Sequence, residues 1–156
     1  MRKTKGFTLV EILIVVGVFG LILTTLVVIL NSKQKNLYDT KRVSDVQALR
    51  NALEVVKNEQ GSYDKALCEL GFASACAQKS SSYLLQVMPD LGNLNDPAVS
   101  NVLCTSGQSC VKSGCNYTIT LMEEDAYEVL FHLDKGVEGV GEKGCYRLTQ
   151  EGISAY

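Results

Sequence analysis

Tryptophan is absent, histidine occurs once and proline twice in 156 residues. The single histidine, His132, sits between Phe131 and Leu133, and no Cys–His or Ser–His–acid pattern surrounds it. It is expected on the polar face of a strand. Basic residues are not in excess. Fifteen Lys and Arg against 17 Asp and Glu give a formal charge of -2, which argues against bulk binding to a phosphate backbone. No C-x2-C or C-x-x-H pair occurs, so the tight spacing of a zinc module is missing, as is the C-x-x-C pair of a thiol oxidoreductase. Enzymatic activity, a cofactor and a metal are therefore not expected. The stretch Leu30-Asn31-Ser32-Lys33 also lacks the A-x-A-like site at which a cleaved secretory signal would end.

The chain's length suits one compact domain plus an anchor. All six cysteines (Cys68, Cys76, Cys104, Cys110, Cys115 and Cys145) lie beyond residue 67. An even number in a small, loop-rich segment reads as a disulfide framework formed in an oxidising compartment. Before them, Phe7 to Leu30 is a 24-residue apolar run in which Glu11 is the only charge. As a helix it rises about 36 Å, enough to cross a hydrocarbon core of about 30 Å. Lysines and arginines flank it on both sides, so counting positive charge does not orient it. The cysteines place the C-terminal part outside the cytoplasm. A carboxylate within such a span costs at least a few kcal/mol. Composition alone leaves two readings of Glu11 open: a functional intramembrane acid, or a side chain snorkelling near the membrane face.

The residues around Glu11 add to this. Lys5-Gly6-Phe7-Thr8-Leu9-Val10-Glu11, followed by Ile12-Leu13-Ile14-Val15-Val16, closely resembles the class III signal of type IV pilins and type II secretion pseudopilins. The resemblance implies that a prepilin peptidase cuts after Gly6, that Phe7 becomes an N-methylated terminus, and that Glu11 is the family's assembly acid. Removing Met1 to Gly6 would take away Arg2, Lys3 and Lys5, leaving 12 basic residues against 17 acids, a charge of -5. Four residues make about one helical turn, so Phe7 and Glu11 share a face. In a filament the Glu11 carboxylate of one subunit can pair with the Phe7 amine of another, which compensates the buried charge and sets axial register.

The resemblance implies an α+β, pilin-like fold: a long N-terminal helix packed on a small antiparallel sheet with disulfide-bonded loops. Residues 1–6 are expected to be a cleaved leader, 7–30 the transmembrane and assembly half of the helix, 31–60 its amphipathic half, and 61–156 the head. Implied partners are other pilin subunits, the prepilin peptidase, the inner-membrane assembly platform and, before assembly, membrane lipid. The subunit would first sit in the cytoplasmic membrane as a single-pass protein with its head outside, then join an extracellular or envelope-spanning filament. The leading functional reading is a structural subunit of a type IV pilus-like filament. The alternatives are a type II secretion pseudopilin and a single-span anchored domain that binds as a monomer. In one respect the sequence departs from many family members: Thr24 to Leu30 contains no proline.

Further along, Val46, Leu49, Leu53 and Val56 recur at spacings of three and four, one apolar stripe on a polar helix that Gly61 is suited to cap. Ser81 to Met88 reads as a short helix and Asp96-Pro97 as a turn. Asn116 to Met122 and Tyr127 to Leu133 alternate as strands, the second with Val129, Phe131 and Leu133 on one face, and Cys145 to Thr149 makes a third. Glu123-Glu124-Asp125 reads as a solvated turn. Asn116-Tyr117-Thr118 is a sequon, but a strand start is the safer reading. Asp134, Glu138 and Glu142, in a Gly-rich stretch without EF-hand spacing, read as a solvated loop rather than a calcium site. Loop closure and strand proximity suggest the pairs Cys68–Cys76, Cys104–Cys110 and Cys115–Cys145, one of fifteen possible connectivities.

Overall fold

The computed structural model describes residues 8–79, 81–105, 110 and 114–156. Gly6 and Phe7, with the rest of the basic N-terminus, lie outside the described residues. The chain forms two compact units, Met1–Gln34 and Lys35–Tyr156.

Helix α1 spans Leu9–Gln60. It opens on Thr8, whose Oγ1 accepts the Glu11 backbone N–H at 3.3 Å, and satisfies one of the donors that a helix start leaves free. It closes at Gly61, which adopts a left-handed φ of +82° and donates its N–H to the Lys57 carbonyl at 2.9 Å, a role that glycine fills without a Cβ penalty.

In the first unit every large apolar side chain from Leu9 to Leu30 is between 48% and 78% exposed. One helix among the described residues is long and apolar enough to cross a membrane. An apolar surface of this extent needs lipid or other helices around it.

In the second unit the remainder of α1 packs on a sheet. Val46, Leu49, Leu53 and Val56 are fully buried, as their spacing predicts. The sheet is a five-stranded antiparallel meander, with β1 (Gly71–Phe72), β2 (Thr118–Met122), β3 (Tyr127–Val137), β4 (Gly141–Thr149) and β5 (Gly152–Ala155) side by side in chain order. The sequence suggests three of these. β1 and β5 have two and four residues, too few for an alternation to show. Helix α2 (Tyr83–Val87) falls within the expected Ser81 to Met88. Short 3-10 helices at Tyr63–Ala66, Ala73–Gln78 and Pro89–Asn93 carry the chain over the core.

Both faces of the sheet are covered. Tyr117, Ile119, Tyr127, Val129, Phe131, Leu133, Tyr146 and Leu148 join the helix stripe in one core cluster. Leu130 on the opposite face joins Cys104, Cys110, Cys115 and Cys145 in a second. His132, expected on a polar face, is 1% exposed. It is on the expected side of the strand, but Cys110 lies over it: its Nδ1 is 2.5 Å from the Cys110 carbonyl.

The Gly-rich stretch is a loop only around Glu138, which lies in an exposed turn between two strands. Asp134 belongs to β3 and Glu142 to β4, which pair through Gly136↔Glu142 and Val137↔Gly141 after a register shift between Leu133 and Gly136. At that irregularity the backbone N–H groups of Asp134, Lys135 and Gly136 all donate to the Asp39 carboxylate, at 2.8, 2.7 and 3.0 Å. This side chain replaces ladder partners and lets the strand run on past Leu133. Gly136 has a φ of +106°, and a Cβ there would fall 2.3 Å from the Gly141 carbonyl oxygen and 2.7 Å from Glu142 Cα. Both obstacles are backbone. Gly136→Ala is therefore expected to lower stability by more than about 2 kcal/mol in urea denaturation, whereas Gly92→Ala, which meets only the Ala77 Cβ at 3.5 Å, should change it little.

Candidate functional site

The chemistry of the first unit is concentrated at the start of α1. Thr8 and Glu11 stand in N-cap and N3 positions, the T-x-x-E order of a capping box. The acid that the sequence singles out is thus also a first-turn residue, where negative charge is favoured by the helix dipole. Further along, Thr24 and Thr25 return their hydroxyls to the Leu21 and Ile22 carbonyls at 2.9 and 2.8 Å. That arrangement hides both polar groups within the helix's own backbone, as a lipid-facing surface requires.

The second unit is organised by a buried ion cluster that sequence reading did not find. Arg42, on α1, has a side chain 1% exposed. Its Nη1 donates to Asp39 Oδ1 and to Asp134 Oδ2, both at 2.7 Å. Its Nε and Nη2 form a fork on Asp96, at 2.5 and 3.0 Å. One cation therefore faces three carboxylates, and backbone donors offset the excess. Asp39 takes the three N–H groups of the β3 irregularity, and Asp96 Oδ1 takes those of Ala98 and Val99, at 2.8 and 2.9 Å. Burial alone would lower the Arg42 pKa, but hydrogen bonds and charge from Asp96, Asp134 and Asp39 outweigh it and raise it. Burial likewise pushes the Asp134 carboxyl up, and the Arg42 bond and charge, with His132 and Lys35, bring it below the ordinary carboxylate range.

Asn116 fixes the same loop from the other side. It is 1% exposed. Its Oδ1 accepts the Asp96 N–H at 2.8 Å, and its Nδ2 donates to Asn95 Oδ1 and the Ser100 carbonyl at 2.9 and 2.8 Å. The sequon asparagine is a buried structural residue, with its amide engaged. Tyr117 beside it donates its phenol to Asp45 on α1 at 2.9 Å.

All six cysteines are oxidised, with none free. Cys68–Cys76 forms as expected. The other two pairs differ from the expectation: Cys104 bonds Cys115, and Cys110 bonds Cys145. A parallel bridge between Leu103 and Asn116 draws the two segments together, and the Cα atoms of Cys104 and Cys115 lie 5.0 Å apart. Cys110 then lies over His132, whose cross-strand neighbour is Cys145. Shortest-loop reasoning misses this, because the bridge is non-local. The Cys110–Cys145 bond closes 35 residues against eight for Cys68–Cys76. Loop entropy then predicts that removing it as a Cys110→Ala/Cys145→Ala pair costs about 4 kcal/mol, against about 2.5 kcal/mol for the Cys68→Ala/Cys76→Ala pair, in urea titration.

Comparison with known proteins bears on the N-terminal helix. Residues 1–27 match the model of the prokaryotic N-terminal methylation motif. The chain is 36% identical over 63 residues to the type II secretion system core protein G of Vibrio cholerae, 40% of this chain and 43% of that protein. The namesake of Aeromonas hydrophila is 34% identical over 62 residues, 40% of this chain and 43% of the relative. That of Escherichia coli is 36% identical over 61 residues, 39% and 42%. The chain thus matches less than half the length of these curated relatives. No solved structure matches it. A methylation motif opens an exposed apolar helix, and a helix stripe packs on a disulfide-bonded antiparallel sheet; these features, with the identity over about two-fifths of the chain, support its likeness to type IV pilins and type II secretion pseudopilins.

Proposed function

We propose that the chain is a pseudopilin, the structural subunit of a secretion-type filament. It is held in the cytoplasmic membrane by the apolar part of α1, cleaved after Gly6, N-methylated on Phe7 and polymerised through that helix. It carries no catalytic activity of its own. The observation that supports this best is the coincidence of the methylation motif at residues 1–27 with identity to secretion core proteins of three organisms. Of the two filament readings open from the sequence, that identity favours secretion over a pilus. Its partners are then other pseudopilins, the peptidase that processes it and the membrane platform that polymerises it. The exposed apolar surface from Leu9 to Leu30 faces lipid before assembly and neighbouring helices after it.

Amino-terminal mass spectrometry of the membrane-extracted protein tests the processing. The expected terminus is Phe7 carrying one methyl group. An intact Met1 in assembled material, or a cut after residue 30, overturns the reading.

A further inference from the structure

The second unit carries one half-buried cation without an acid and one rigid group of acids without enough cations. The cation is Arg50. It stands in a cleft of about 220 Å3 between α1, the β3–β4 turn and β5, walled by Val140, Leu148 and Ile153, with Gln47 exposed at its mouth. That is smaller than the roughly 300–1,000 Å3 of small-molecule sites, and suits a single side chain.

Arg50 Nη2 donates to the Gln150 carbonyl at 2.9 Å, while its Nε is buried without an acceptor. Gln150 Oε1 is buried and unpartnered as well, but a neutral amide does not neutralise a guanidinium. Glu54, one turn further along α1, accepts the Tyr63 phenol at 2.9 Å instead. Among the described residues no carboxylate pairs with Arg50, whereas Arg42 faces three. A cation held against apolar walls is costly alone, and an acid that enters beside it meets a lower dielectric than in water, which strengthens the pair.

The acids are those of the β2–β3 turn, Glu123, Glu124 and Asp125, all exposed. Asp125 pairs with Lys57 at 2.5 Å. The Glu123 and Glu124 carboxylates have no cation among the described residues. The backbone that carries them is fixed. The Glu123 N–H donates to the Ala126 carbonyl at 2.8 Å, and the Glu124 carbonyl accepts the Tyr63 N–H at 3.0 Å and Lys57 Nζ at 3.1 Å. Acids presented in this way lose little freedom on binding.

We propose that the β2–β3 turn of one copy of this chain docks in the Arg50 cleft of a second copy, with Glu123 or Glu124 on the guanidinium. A contact between two different patches is heterologous, so it repeats into an open array instead of closing a dimer. The proposal rests on the filament reading above for its partner, and names a contact between heads that the apolar helix does not supply.

The test uses the purified full chain in liposomes, with a photoreactive benzophenone amino acid in place of Gln47. Illumination is expected to join two copies, and mass spectrometry to map the junction to the peptide that carries Glu123. Glu123→Gln/Glu124→Gln alters only exposed side chains and should lower the yield about tenfold at limiting protein density, the scale of the weaker close charge pairs across an interface. Arg50→Gln should do the same. Arg50→Glu should abolish the junction, and Glu123→Arg/Glu124→Arg added to it should restore it, which a folding defect cannot mimic. A junction elsewhere in the second copy, a cross-link to lipid alone, or full yield from the Glu123→Gln/Glu124→Gln chain overturns the proposal. The purified chain decides the contact whether or not Gly6 is cut in cells, so a failure of processing counts against the function proposed above and not against this contact.

Discussion

Arg42→Met is expected to destabilise the second unit by about 3–5 kcal/mol at neutral pH, the range found when one partner of a buried ion pair is removed. Methionine fills much of the same volume, so lost packing is not the main cost. The cost is electrostatic: Asp39, Asp96 and Asp134 keep their burial and lose the cation that faces all three. Against a typical total of 5–15 kcal/mol this is large enough to threaten folding. Arg42→Lys keeps the charge but not the fork on Asp96, and should fall between the two.

The pH dependence carries the signature. Asp134 has a depressed pKa in the folded chain, so its contribution is present above the ordinary carboxylate pKa and lost as pH falls through the folded value. The wild-type chain therefore loses stability on acidification. In Arg42→Met the Asp134 carboxyl has lost the cation that holds its pKa down, so that contribution is already gone and the gap to wild type narrows as pH falls. Urea denaturation from pH 7 down to roughly pH 2, through and below the ordinary carboxylate range, measures both. A cost below about 1 kcal/mol, or a gap that does not depend on pH, would show that this cluster does not hold the head together.

Glu11→Gln is expected to leave membrane insertion and cleavage after Gly6 intact while incorporation into filaments falls by about 100-fold per interface, if the pairing with a neighbour's Phe7 amine is worth about 3 kcal/mol. The structure sharpens this test. The helix start rests on Thr8 Oγ1 and the Glu11 backbone N–H, and glutamine serves at the same capping-box position as glutamate. The variant therefore removes charge and leaves the helix terminus. Cleavage, membrane retention and sheared filament content are read from the same cells. For a subunit that joins a filament built by others, its own incorporation is the quantity to follow. Wild-type incorporation would falsify the charge pairing, and a block in cleavage would move the role of Glu11 to an earlier step.

How much of this was legible depends on how local each signal is. The stripe Val46, Leu49, Leu53 and Val56 reads directly, because helix periodicity is written within one turn and all four are fully buried. The alternation of Val129, Phe131 and Leu133 reads equally well. What lies on the other side of that strand did not. Burial of His132 requires Cys110, 22 residues away in the chain, to lie over it, and period-two patterning says only that two faces differ. The ion cluster is the same case. Asp39, Arg42, Asp96 and Asp134 are spread over most of the second unit, and each alone resembles a surface charge. The proposed cleavage and methylation sites at Gly6 and Phe7 are different again, because a short motif read by an enzyme is visible only in sequence, and both residues lie outside the described structure.

The disulfide pattern has a mechanical consequence. In the proposed filament a subunit is loaded in tension between its N-terminal helix and whatever its head holds. The bond between Cys110 and Cys145 encloses β2, β3 and the β3–β4 turn in a covalent ring. Force entering at one end of the second unit and leaving at the other passes across that bond and bypasses these strands. About 35 residues, roughly 120 Å of chain at full extension, cannot be paid out under load. The β2–β3 ladder is shielded from stretching, and the yielding elements are the ones outside the ring: β5, and the contact between α1 and the sheet.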